Sequence, residues 1–330
     1  MRPFKYTRAS DAMNAVSTVS ATTSAKFLAG GTNLLDLMKE DVERPTELVD
    51  VTKLNFAQIK AANGGVSIGA TAKNTDTANH PLIRQNYPLL TQAILASASG
   101  QIRNMATNGG NLNQRTRCSY FYDVAMPCNK RTPGTGCGAL DGVNRNHAIF
   151  GWSEKCVATY PGDMAVALAA LEATVKVQTK DGTERTIAFA DYHRLPGDAP
   201  EKDNNLNHGE LITSIELPKN NFADKSYYLK VRERASYAFA LVSVAAALET
   251  KGNVIENVRL ALGGVAHKPW RALEAEKFLK GKAATEVNFK LAAEMEMKTA
   301  KPLEYNKFKV ELGRRAIARA LMQAMNGGKA

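Results

Sequence analysis

The chain has 330 residues, 44% of them apolar and 23% charged, which excludes disordered and fibrous classes and leaves room for two domains, one of them subdivided. A net charge of +11 invites nucleic acid, but Lys and Arg are interleaved with Asp and Glu, as in HKPWRALEAEKFLKGK at 267–282, without a run of like charge. The composition therefore reads as a solvated basic surface or a docking face for an acidic partner.

In chain order, the first 55 residues read as strand, helix, strand. SDAMNAVSTVS has helical apolar spacing behind an N-cap candidate, Ser10. AKFLAGGTNLLDLMK is a short strand running through two glycines into a helix, and TELVDVTKL is a second buried strand, so parallel pairing is expected. GVSIGATAKNT alternates, YPLLTQAILASASG is helical, and QIRNMATNGGNL ends on a second glycine pair. PGDMAVALAALEATVKVQTKDGTERTIAF predicts a helix and then a hairpin turning at Asp181 and Gly182. From about 219 the pattern becomes antiparallel strands, and from Trp270 onward helices, with a separate C-terminal domain in an α+β arrangement. The longest apolar run, YAFALVSVAAAL at 237–248, is too short to span a bilayer and reads as a buried element. The N-terminus shows no apolar signal region, so export would need a partner's signal.

Two glycine clusters suggest anion binding. In LAGGTNLL at 28–35 the paired glycines let backbone N–H groups converge, with Thr32 and Asn33 beside them; TNGGNL at 107–112 repeats the pattern. Neither is a G-x-G-x-x-G fingerprint or a P-loop, and the pair suggests one ligand with two phosphates. Gly263 and Gly264 read as a turn or a close approach, and His147 and His267 as surface or loop residues.

All four cysteines, Cys118, Cys128, Cys137 and Cys156, fall in one segment, separated by nine, eight and eighteen residues. Three readings stand open: a [4Fe–4S] cluster, which takes four thiolates at loose spacing; zinc, which prefers close C-x₂₋₄-C pairs; and disulfides or free thiols. Arg115, Arg117, Lys130, Arg131 and Arg145 are expected to offset thiolate charge, and Gly134, Gly136 and Gly138 to offer amides to cluster sulfurs.

At these residues the chain resembles the FAD-binding, or medium, subunits of the xanthine dehydrogenase group of molybdenum hydroxylases, over nearly its whole length. AGGTNLL and QIRNMATNGGNL are similar to the family's two flavin loops, although Met105 and Ala106 stand where Arg-Gly is common. PGDMAVALAALEATV, GELITSIELP and YYLKVRERASYAFALVSVAAAL resemble its later motifs. The resemblance implies a two-subdomain FAD-binding domain of the PCMH/vanillyl-alcohol-oxidase-like type at 1–218, divided near 55, and a C-terminal α+β domain at 219–330. It implies FAD contacts from Lys26, Phe27, Leu28, Ala29, Gly30, Gly31, Thr32, Asn33 and Leu34, from Thr107, Asn108, Gly109, Gly110 and Asn111, and from Asp163, Ile212 and Lys230. In typical members Asn111 would lie shortly before Asp163; here an insert at about 114–160 separates them and carries all four cysteines. Such an insert is similar to that of aldehyde oxidoreductase flavin subunits with an extra [4Fe–4S] cluster, ligated by Cys118, Cys128, Cys137 and Cys156.

The implied activity is electron transfer within a heterotrimer. A large subunit holding the molybdenum cofactor would oxidise aldehydes to carboxylic acids, and a small subunit would hold [2Fe–2S] clusters. The implied location is the periplasm, reached with a signal-bearing partner, or else the cytoplasm. Two other readings are a basic zinc-binding module that contacts nucleic acid and a free-standing flavin oxidase.

Overall fold

Near the N-terminus, strands Lys5–Arg8 and Ala25–Leu28 flank Glu47–Asp50, both in parallel register, in a computed structural model that describes residues 1–328. The intervening helix Ala12–Ala21 buries Ala15, Val16 and Val19 against this sheet. Its cap is Asp11, whose carboxylate accepts from the Asn14 N–H at 2.8 Å, and not Ser10, whose hydroxyl donates to Asp11 instead. The carboxylate is the stronger acceptor at a helix N-terminus.

A second sheet has the order Ile59–Ala62, Gly65–Gly69, Leu211–Leu217, Thr174–Gln178, Glu184–Ala188, all antiparallel. The last two form the hairpin that turns at Asp181 and Gly182, as the sequence predicts. Helices Pro88–Ala96 and Asp163–Ala170 complete its core.

Only the second half of the apolar run is buried as expected: residues 242–248 lie in strand Val242–Lys251, central in a sheet with Ser226–Val231, Val254–Gly263 and the short edge Trp270–Arg271, whereas Tyr237 and Phe239 are exposed in the loop before it. Alternate residues explain the strand's continuous hydrophobicity. Ala245 and Ala247 face the core containing helices Pro88–Ala96 and Asp163–Ala170, while Val244, Ala246 and Leu248 face the C-terminal helices Leu273–Leu279, Glu286–Met297 and Phe308–Met325. Both faces are covered, so polar alternation is absent. None of the described helices is long and apolar enough to cross a membrane.

Between residues 114 and 160 regular structure nearly vanishes. Only helix Ser119–Tyr122 and isolated bridges such as Cys128 to Cys137 remain. This segment is held by side-chain bonds, by backbone bonds such as Ile149 N–H to Val265 O and Tyr160 N–H to Ala266 O, and by burial of Phe121, Ile149 and Phe150.

The small side chains of the central strand set the spacing between its two layers. Ala245→Leu should therefore overpack the helix-facing side and lower stability by about 1–3 kcal/mol, read as a lower thermal unfolding temperature.

Candidate functional site

The first glycine loop follows strand Ala25–Leu28 and precedes helix Leu34–Lys39. The backbone N–H groups of residues 30–34 find no acceptor among the described residues. Gly31 has φ +71, a conformation that favours glycine, and a side chain on Gly30 would collide with the Met105 carbonyl. Asn33 accepts the Arg115 N–H on Oδ1 at 2.9 Å, while its Nδ2 is buried without a partner. A row of open donors thus sits where the two loops touch, which suits a diphosphate. The Lys26 amine does not join them, since it pairs with Glu43 at 2.6 Å.

The second loop differs from expectation. Its N–H groups are spent inside the chain: Asn108 on Ala72 O at 3.0 Å, Gly109 on Ala70 O at 2.8 Å, Gly110 on the Thr107 hydroxyl at 3.2 Å, and Asn111 on Thr107 O at 2.8 Å. Buried Asn108 also bonds Asn74 and Thr77, making the loop a rigid wall. Gly109 lets that wall pack against strand Leu211–Leu217: a Cβ there would stand 3.2 Å from Ala70 and 3.6 Å from Ile212. Ile212 accordingly packs behind the loop and does not line the neighbouring cleft.

That cleft, about 320 Å³, lies between the helix Asp163–Ala170 and the segment 233–241, with Tyr160, His147 and Cys118 on its wall. Asp163 heads the helix and accepts from Lys230 Nζ at 2.8 Å and from the Tyr228 hydroxyl at 2.7 Å. Lys230 also donates to Ala96 O at 3.1 Å and is buried, not solvated. Burial pushes the Asp163 carboxyl above the usual carboxylate range, and the Lys230 ammonium and Tyr228 hydroxyl pull it back. Gly263 and Gly264 border the cleft, and a Cβ on Gly263 would stand 2.6 Å from Val166, so the pair is a close approach as well as a turn.

A second, smaller cavity is lined by all four cysteines. All four are free thiols. Burial pushes the thiol of Cys118 up to about 12 and that of Cys156 up to about 11, so both are uncharged without a cation to compensate them. Among the described residues no three His, Cys, Asp or Glu are grouped to hold a single metal ion.

The surroundings of the thiols correct three expectations. Arg115 is shared by Glu43 at 2.7 Å and Asp203 at 2.7 Å, Arg117 pairs with Asp36, Arg145 pairs with Glu233, and Arg131 donates to the carbonyls of Tyr120 and Phe121. Buried Lys130 pairs with Asp203 at 2.6 Å, and among these cations its charge is the one felt at Cys156. Gly134 and Gly136 donate to Asn129 Oδ1 and Gly138 to Pro127 O, so these amides shape the turn and do not solvate sulfur. Both histidines are buried: His147 Nε2 lies 3.1 Å from Cys118 Sγ, and His267 Nδ1 lies 2.8 Å from Arg194 O. Burial pushes each imidazole down to about 4. These contacts join residues far apart in sequence, and neither histidine sits in a motif that would have revealed them.

The descriptions "FAD binding domain in molybdopterin dehydrogenase" and "CO dehydrogenase flavoprotein C-terminal domain" match residues 2–220 and 227–325. The chain is 48% identical to the aldehyde oxidoreductase FAD-binding subunit PaoB of Escherichia coli, over 98% of this chain and 99% of that one. It is 31% identical to the glyceraldehyde dehydrogenase medium chain of Sulfolobus acidocaldarius, covering 84% and 82%. Among solved structures, the carbon monoxide dehydrogenase of Hydrogenophaga pseudoflava superposes with a TM-score of 0.78 at 23% identity, over 98% of each chain. Quinoline 2-oxidoreductase of Pseudomonas putida superposes at 0.76 and 22%, over 99% and 98%.

The open amides of residues 30–34 and the orphaned Asn33 Nδ2 fit the pyrophosphate of FAD. Gly31→Val should abolish flavin binding, because a β-branched residue resists φ +71 and its side chain meets Leu35; the check is flavin absorbance per chain after gel filtration. Asp203→Asn should cost about 3–5 kcal/mol in chemical denaturation by leaving Lys130 buried and unpaired. Arg115 and Lys130 hold the Asp203 carboxyl well below the usual range. That cost should therefore be full above the ordinary carboxylate pKa and shrink as pH falls below it.

Proposed function

From the chain's membership in the FAD-binding subunits of the molybdenum hydroxylases, we propose that it is the electron relay of an aldehyde oxidoreductase. It would receive electrons released when a partner oxidises an aldehyde to a carboxylic acid, and pass them to an external acceptor. The observation that carries this reading is the adjacency of two cavities, the flavin-sized cleft and the thiol-lined one, through the shared wall residue Cys118.

In this reading residues 26–34 hold FAD, with the amides of 30–34 and Asn33 Nδ2 on the pyrophosphate. The self-satisfied turn from Thr107 to Asn111 braces the opposite side, and Ile212 supports it from behind. The cleft receives the flavin ring, with Asp163 at its edge and Lys230 pinned beside Asp163. FAD supplies a store that fills one electron at a time and empties two at a time. Lys230, paired with Asp163 at 2.8 Å, fixes that carboxylate at the cleft edge, where it orients the ring.

Cys118, Cys128, Cys137 and Cys156 hold a [4Fe–4S] cluster, a one-electron centre whose potential depends on burial and hydrogen bonds to sulfur. Support comes from four unpaired thiols around one cavity and from the amide of Ala158 at 3.5 Å from Cys156 Sγ. Partners are a molybdenum-cofactor large subunit and a [2Fe–2S] small subunit in a heterotrimer, and the periplasm is the proposed location; both follow the family resemblance.

Natively purified protein should show flavin absorption over a broad iron–sulfur shoulder, with about four irons per chain. Cys128→Ser should remove most of the iron and leave FAD in place, checked by iron and flavin analysis of the same sample. A colourless protein containing zinc would overturn the reading. Aldehyde oxidation by this chain without its partners would replace the relay with a free-standing oxidase.

A further inference from the structure

His147 lines the cleft and touches Cys118, yet no role has been assigned to it. Its ring lines the flavin cleft, Nε2 lies 3.1 Å from Cys118 Sγ, and Nδ1 has no partner among the described residues. The backbone that carries it is held from three directions. Its N–H donates to Asn144 O at 3.0 Å, and its carbonyl accepts from Asn306 Nδ2 at 3.2 Å and Lys309 Nζ at 3.0 Å, both on fully buried side chains. Lys309 also donates to Gly264 O at 2.8 Å, so the C-terminal helix delivers the ring and the cleft border together.

Cys118 differs from the other three thiols: it alone borders both cavities. A sulfur bonded to iron has no proton to donate, so a ring nitrogen at this distance must be the donor. A donor aimed at a ligand sulfur stabilises the electron added on reduction and raises the potential of the centre. The amide of Ala158 is such a donor to Cys156, but at 3.5 Å it is the longer contact.

We propose that His147 is a positioning residue for electron transfer, whose Nε2–H donates to the Cys118 sulfur and holds up the reduction potential of the iron–sulfur group on the arm that borders the flavin cleft. The inference rests on the cluster reading given above.

The test is an EPR-monitored redox titration of the [4Fe–4S] signal in natively purified protein with its co-purifying subunits. Wild type, His147→Leu and His147→Gln are compared, with iron, sulfide and FAD measured per chain. In His147→Leu the reduced-to-oxidised ratio at the wild-type midpoint should fall on the order of tenfold, or about 59 mV for one electron. His147→Gln, which keeps an N–H donor, should recover most of that shift. An unmoved midpoint in His147→Leu with full iron content overturns the inference and leaves the cluster reading intact. If His147→Leu loses its iron, wild-type protein labelled with ¹⁵N-histidine decides: pulsed EPR should show coupling of the reduced cluster to an imidazole nitrogen, and its absence overturns the inference. Wild-type protein without iron overturns both readings.

Discussion

Asp203 binds two cations at once, and the arrangement of the whole site depends on that carboxylate. It takes Arg115 Nε at 2.7 Å and Lys130 Nζ at 2.6 Å, and Arg115 in turn reaches Glu43 at 2.7 Å. Four stretches meet there: the turn between helix Leu34–Lys39 and strand Glu47–Asp50, the exit of the second glycine loop, the cysteine segment, and the chain leading to strand Leu211–Leu217. A network this buried adds little net stability over apolar residues, but it is unforgiving of a missing partner. Its effect is positional. A segment with almost no secondary structure is fixed at one end by this charge network and along its length by backbone bonds and buried apolar side chains.

That placement makes the thiol cavity and the larger cleft neighbours. The cysteine segment reaches the cleft at Cys118, and the C-terminal helices hold the same region from the other side through Asn306 and Lys309. The central strand Val242–Lys251 links the two ends, since one face packs on the helix headed by Asp163 and the other on the helix carrying Lys309. The shared packing therefore couples the geometry of the cleft to that of the thiol cavity.

Local chemistry was legible in the residues. The glycine loops, the hairpin at Asp181 and Gly182, the two-faced apolar run and the gathering of four cysteines all show in linear order, because each depends on neighbours within a few positions. Donor destinations were not legible. The amides of the second loop bond Ala70, Ala72 and Thr107, whereas those of the first stay open, and the two motifs look alike as strings. The cations near the cysteines were likewise assigned to sulfur by proximity in sequence, while carboxylates and carbonyls, several more than seventy residues away, had claimed most of them.

By itself the sequence determined the main strands and helices, that a glycine-rich bend precedes a cysteine-rich insert, and which family's motifs the chain carries. Tertiary structure alone decided which donors remain free, that Asp163 and Lys230 face each other in a buried pair, and that a histidine with no motif around it stands against Cys118. The reason is physical: backbone propensity and hydrophobic period act over a few residues, whereas the partner of a buried polar group is whichever one the fold brings within about 3 Å.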